Sequence, residues 1–155
     1  MIFQDGQIVT EEYSSLIKKI SENQTNVFTN GVFDLLHAGH IVMFEEAKTQ
    51  CDYLIAAIQI DPSIDREEKN KPVQSIVERQ LQVKAVRWVD DFIVYSTEKE
   101  LEDIFSTLPI DVRIIGEEYK DKFFTGKEVC LKRNIDIYYN SRQHNFSTTD
   151  LRNQL

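Results

Sequence analysis

Cysteine, positive charge and long apolar runs are all scarce in this chain of 155 residues, and each shortage excludes something. The two cysteines, Cys51 and Cys130, stand far apart, with neither metal-ligand spacing nor the density of a disulfide scaffold. That usage fits a reduced, cytoplasmic setting. Lys and Arg number 18 against 26 Asp and Glu, a net charge of -8, so no broad basic surface is available to hold nucleic acid or an anionic membrane. The longest apolar run, Tyr53 to Ile58, falls well short of a bilayer span. The N-terminus, with Asp5 and Glu11, lacks the basic-then-apolar order of a secretory signal. Repeats, low-complexity tracts and linkers are missing as well. What is present is ordinary for a globular protein: 41% hydrophobic and 28% charged residues, in a length that suits one domain over 1–155 with residues 1–25 as an accessory segment.

The stretch Thr29-Asn30-Gly31-Val32-Phe33-Asp34-Leu35-Leu36-His37-Ala38-Gly39-His40 organises the rest. It reads as the end of a strand, a tight turn and the start of a helix, with two histidines three apart on one helical face. Gly39 lets a ligand approach the backbone, and the unpaired N–H groups of the first helical turn favour an anion. This is the make-up of a phosphate site overlooked by two imidazoles. A metal site, or two polar residues at a helix start, would use the same spacing.

The remaining chain supplies the context. Val27 to Thr29 is a β-prone strand, and a helix is expected from about His40 to Lys48, with Ile41, Phe44 and Ala47 on its buried side. Tyr53 to Ile60 is a near-continuous apolar run, as in a strand covered on both faces. A polar loop from Ser63 to Pro72 carries Arg66, Lys69 and Lys71. Helices at Ser75 to Ala85, Glu98 to Phe105 and Lys127 to Arg133 then alternate with strands at Val89 to Tyr95, Val112 to Ile115 and Ile135 to Tyr139. A helical turn at Asp150 to Asn153 closes the chain, and an accessory helix carrying Leu16, Ile17 and Ile20 opens it. The alternation predicts an α/β fold: a single Rossmann-like domain with a mostly parallel five-stranded sheet flanked by helices. Ligands of such sheets bind beyond the carboxyl ends of the strands, where His37 and His40 fall.

Taken with Arg87-Trp88-Val89-Asp90, Glu78-Arg79, Gly116-Glu117-Glu118-Tyr119 and Phe146-Ser147-Thr148-Thr149, the signature loop resembles the cytidylyltransferase-like branch of the nucleotidyltransferase superfamily over nearly the whole chain. Two groups within it share features with the sequence. Arg142, five residues before Ser147, and the Arg-Trp-Val-Asp segment resemble glycerol-3-phosphate cytidylyltransferases. Thr29-Asn30-Gly31, the leading helix and Lys71-Pro72-Val73 resemble heptose-1-phosphate adenylyltransferases.

The resemblance implies attack by a substrate phosphate oxygen on the α-phosphate of a nucleoside triphosphate, with pyrophosphate leaving and Mg²⁺ as cofactor. CTP is expected over ATP on the strength of Arg87 and Arg142. The other partner is a small phosphorylated acceptor, and a homodimer is implied. His37 and His40 would donate to the α-phosphate and the departing pyrophosphate, while Lys69 and Lys71, with Arg66 as a further candidate, would reach phosphates. Asn30, Gly31, Phe33, Asp34, Gly39, Arg87 and Gly116 would hold the nucleotide together with Ser147, Thr148 and Thr149, where hydroxyl and N–H groups gather at a helix start beside Arg142. Asp34 would bind Mg²⁺ or its waters, or stabilise the turn. Arg87 would meet phosphate or an ion pair, and Asp90 would pair with it or orient a ligand. Tyr138-Tyr139 and His144 would face the substrate or the core. From another class, a non-catalytic nucleotide-binding module would keep the same α/β core.

Overall fold

The computed structural model describes residues 3–4, 7–8, 19–20 and 24–141. Five strands form one sheet: β3 (Asn26–Gly31), β4 (Tyr53–Gln59), β5 (Asp91–Tyr95), β6 (Val112–Gly116) and β7 (Asp136–Asn140). Their order is β5-β4-β3-β6-β7 and every pairing is parallel. The chain therefore runs outward from β3 to one edge, returns, and continues outward from β6 to the other. The reversal between β3 and β6 opens a crevice at their carboxyl ends.

Side-chain alternation divides the core into two layers. Phe28, Ile55, Ala57 and Ile93 face one side, where they meet Leu101, Ile104 and Phe105 of α3 (Glu98–Thr107) and Cys130 of α4 (Lys127–Lys132). Val27, Leu54, Ala56 and Ile58 face the other, against Phe44 and Ala47 of α1 (Ala38–Lys48) and Val83 of α2 (Ile76–Lys84). Burial on both faces explains the unbroken apolar run of β4, six of whose seven residues are buried. The helix starts follow their caps. Ser75 and Glu78 close a capping box on α2, and Thr97 accepts from the Glu100 N–H on α3.

Three details depart from the sequence reading. Helix α1 begins at Ala38 rather than His40, because His37 is its N-cap. A two-stranded antiparallel hairpin, β1 (Phe3–Gln4) with β2 (Gln7–Ile8), precedes the sheet. Strand β5 starts at Asp91, because Val89 closes a turn on Val86 and Asp90 bonds sideways to Leu54. The expected turn at Asp150 to Asn153 and most of the accessory helix lie outside the described residues. Of that helix, Lys19–Ile20 is helical and Ile20 is buried in the α3-side core.

Candidate active site

After β3 the chain turns through two residues, Phe33 (φ 53°) and Leu35 (φ 50°), in the left-handed region that side chains rarely adopt. The surroundings hold it there. Both carboxylate oxygens of Asp34 accept from the backbone, Oδ2 from Val73 N–H at 2.7 Å and Oδ1 from Gln74 N–H at 2.9 Å. The Gln74 side chain accepts in return from Leu35 N–H at 2.8 Å. Arg79, 2% exposed, donates to the carbonyls of Val32, Gln59, Ile60 and Gln74. Burial draws its guanidinium below the ordinary value, against the pull of Asp34 and Asp61. Phe33 folds back so closely that a Cβ on Gly31 would lie 3.3 Å from its ring. A side chain at Gly31 would press on this buried ring.

The two histidines replace the usual cap of α1. His37 Nδ1 accepts from Gly39 N–H at 2.9 Å, and His40 Nδ1 accepts from His37 N–H at 3.2 Å. Since Nδ1 is the acceptor on both rings, each neutral imidazole carries its proton on Nε2. The rings stack with centroids 4.0 Å apart, and Phe33 packs edge-on against His40 at 5.7 Å. No acidic residue occupies the first turn of α1, so the partial positive charge of the helix start is left for a ligand anion.

A cavity of about 520 Å³ spans the carboxyl ends of the strands. Among residues expected from the sequence, it is lined by Asn30, Gly31, Phe33, His37, Gly39, His40, Lys69 and Gly116, and by Arg66. Arg66 is paired there with Glu98 at 3.0 Å. Glu118 folds its carboxylate over Gly116, where a Cβ would sit 2.3 Å away. Asp34, Lys71 and Arg87 do not line it. The bonds that Asp34 accepts from Val73 and Gln74 are those of a turn-stabilising residue, and among the described residues no three His, Cys, Asp or Glu gather as a metal cage. Arg87 is exposed and stacks on Trp88 at 4.6 Å. Asp90 pairs with Lys48 at 2.5 Å rather than with Arg87, and accepts from Leu54 N–H at 2.8 Å. Tyr138 donates to Glu46 and ties β7 to α1. Arg142, His144 and Ser147 to Thr149 lie outside the described residues.

The sequence reading overlooked a polar floor to the cavity. Gln59, Tyr95 and Asn140 end β4, β5 and β7, while Arg113 interrupts β6, and all four line the cavity and are almost wholly buried. Their signal was a polar group set in an apolar strand, mostly at its carboxyl end. Asn30 joins two of them, donating to the Tyr95 hydroxyl at 3.3 Å and accepting from Arg113 at 3.2 Å.

The cytidylyltransferase-like family model matches residues 28–154, from within β3 past the described end of the chain. The chain belongs to the cytidylyltransferase-like family. Within the family it is 34% identical over 130 residues to glycerol-3-phosphate cytidylyltransferase of Bacillus subtilis (strain 168), covering 83% of this chain and 95% of that protein. It is 36% identical over 123 residues to the bifunctional protein HldE of Campylobacter jejuni subsp. jejuni serotype O:6, covering 79% of this chain. The chain spans about a quarter of the length of that HldE, 26%. Among solved structures, the lipopolysaccharide core biosynthesis protein of Thermoplasma volcanium GSS1 superposes with a TM-score of 0.62 at 24% identity, covering 81% of this chain and 100% of that one. This last likeness concerns the fold. Family membership makes the chain a cytidylyltransferase-like nucleotidyltransferase.

Proposed function

We propose that the protein transfers CMP from CTP to a small phosphorylated alcohol of the glycerol-3-phosphate type and releases pyrophosphate. The observation that carries this reading is the match along 95% of a glycerol-3-phosphate cytidylyltransferase, a protein of nearly the same extent. In the reaction a phosphate oxygen of the acceptor bonds to the α-phosphorus of CTP as the bond from that phosphorus to the bridging oxygen breaks. Both attacking and leaving groups are anions, so catalysis rests on positioning and on charge stabilisation rather than on a protein nucleophile. The Nε2–H groups of His37 and His40 donate to the α-phosphate and the leaving pyrophosphate at the helix start beside Gly39. Lys69 supplies positive charge from the loop. Arg142 and Ser147 to Thr149 complete the nucleotide half of the site.

Mg²⁺ enters this reading with the nucleotide, since hard cations favour phosphate oxygens. Asp34 is buried outside the cavity lining, with its oxygens turned to the backbone of Val73 and Gln74, so the cation is held by the phosphate oxygens in this reading. The setting is cytoplasmic, in line with two free cysteines among the described residues, and the working unit is a homodimer. Sedimentation at micromolar protein should give a dimer, and a monomer at that concentration rejects it.

A second reading, transfer of AMP from ATP to a sugar 1-phosphate, is favoured by the likeness to HldE. Pyrophosphate release decides between them. With Mg²⁺ and a panel of phosphorylated alcohols and sugar 1-phosphates, turnover is expected with CTP and glycerol 3-phosphate or a near analogue. Turnover with ATP and sugar 1-phosphates alone overturns the CTP reading, and nucleotide binding without release overturns both.

A further inference from the structure

Arg113 is a buried cation that its own protein does not neutralise. It is 2% exposed and lies over the rings of Phe105 and Phe124, at 4.5 and 4.9 Å. It donates to the Thr125 carbonyl and to Asn30, while its Nε–H has no acceptor among the described residues. No carboxylate among those residues lies within ion-pairing distance of it. Burial draws the Arg113 guanidinium below the ordinary value, and Glu98, which acts against this, is itself paired with Arg66. The two neighbouring acids stay neutral at physiological pH. Burial pushes the Cys130 thiol up despite the pull of Arg113, and burial raises the Tyr95 phenol far above its usual range. A buried charge without a counter-ion is costly, and arginine does not escape by losing its proton.

The place of this charge tells what it is for. The cavity runs from Asn140 at the β7 edge, across the β3–β6 crevice, to Tyr95 at the β5 edge. In the reading proposed above, on which this inference rests, the nucleotide lies at His37, Gly39, His40 and Gly116, beyond the ends of β3 and β6. The part of the cavity around Asn30, Gln59 and Tyr95, which Arg113 reaches from β6 through its bond to Asn30 and which Lys69 and the Arg66–Glu98 pair also line, is left for the part of the acceptor that does not react. Its carboxylate, Glu98, is taken up by Arg66 and Gln59, so the donors that remain outnumber the acceptors. The Tyr95 hydroxyl accepts from Asn30, which leaves its own hydrogen to give, and Arg113 and Lys69 carry charge. An alcohol would leave this surplus unmatched, whereas a carboxylate offers acceptors only.

We infer that this end of the cavity is a carboxylate subsite with Arg113 as its specificity-determining residue, so that the acceptor is a small phosphate ester bearing a carboxylate at its other end. Two probes differ in that group alone: 3-phosphoglycerate and glycerol 3-phosphate. In titration calorimetry with the full chain and no nucleotide, 3-phosphoglycerate should bind at least about tenfold more tightly, the scale on which a buried charge pair discriminates. Arg113→Gln should weaken 3-phosphoglycerate by a similar factor and glycerol 3-phosphate little, closing the gap, and Arg113→Lys should restore part of it. Should Arg113→Gln fail to fold, Tyr95→Phe removes a single hydroxyl and should narrow the same gap. Equal affinity for the two probes, or no binding of either, overturns the inference, as does an equal loss for both in Arg113→Gln. Pyrophosphate release from CTP is then measured with both esters. Its absence despite selective binding defeats the transfer reading and leaves the subsite standing.

Discussion

At the scale of single residues, the histidines carry the proposed chemistry, while Asp34 bonds the backbone of the facing loop. His40→Ala removes one Nε2–H donor together with the acceptor for His37 N–H. Loss of a preorganised donor in a charge-stabilising site costs about 100- to 1000-fold in turnover, and loss of a cap about 1 kcal/mol of stability. Steady-state kinetics and a denaturant titration of the variant measure the two effects; turnover near that of the parent would remove His40 from the reaction. Asp34→Ala should behave in the opposite way. It strands the N–H groups of Val73 and Gln74, at about 1–3 kcal/mol for each group left unsatisfied, while the Mg²⁺ concentration for half-maximal turnover stays put. A large rise in that concentration would return Asp34 to the metal. Both functional and supporting roles of this aspartate are open in the sequence, because a carboxylate in a turn serves either. The partner groups that decide the matter lie about forty residues downstream.

At the scale of elements, regular patterns were legible and capping was not always so. The apolar run of β4 and the spacing of Leu101, Ile104 and Phe105 on α3 place those elements closely, since each is buried on the face its period predicts. Helix α1 starts at Ala38, two residues before the expected His40, because its cap is a histidine, which is not among the usual N-cap residues. The β1–β2 hairpin gave no warning, as strands of two residues carry no period. Helix α2 offers a test of its own cap. Hydrogen bonds from the Ser75 N–H and hydroxyl hold the Glu78 carboxyl below the usual carboxylate range. With its folded value depressed, Glu78 contributes stability at and above the ordinary carboxylate range, and this is lost as pH falls through the folded value. Glu78→Gln should therefore flatten the acid side of a stability-against-pH curve. An unchanged curve between pH 3 and 5, the range in which carboxylates titrate, would deny the cap that role.

For the molecule as a whole, the parallel order of strands was readable from strand–helix alternation, and with it the end of the sheet that binds ligand. The floor of the cavity was not. Arg113, Gln59 and Tyr95 come together only through the register of four strands, and in the linear sequence a lone arginine in a strand looks like a solvent-facing residue. Global unfolding has a convenient reporter in the same interior. Cys51 is pushed up to about 11 by burial and Cys130 is raised likewise, so only a small fraction of either is the reactive thiolate at pH 8. Alkylation by iodoacetamide should be far slower for both in the folded protein than for a free thiol, and should reach that rate in denaturant. Fast labelling of the native chain would contradict this.

In the reaction proposed above, the imidazole cap of α1 makes stability and activity compete for the same two positions. Replacing His37 with Ser and His40 with Glu would install the capping box already found on α2, in which a hydroxyl and a carboxylate bond the backbone more firmly than two stacked rings. Such a variant should melt at a higher temperature and transfer no nucleotide. A thermostability screen blind to turnover would thus select against the reaction at this helix start, and consensus stabilisation of the protein has to leave these two positions alone.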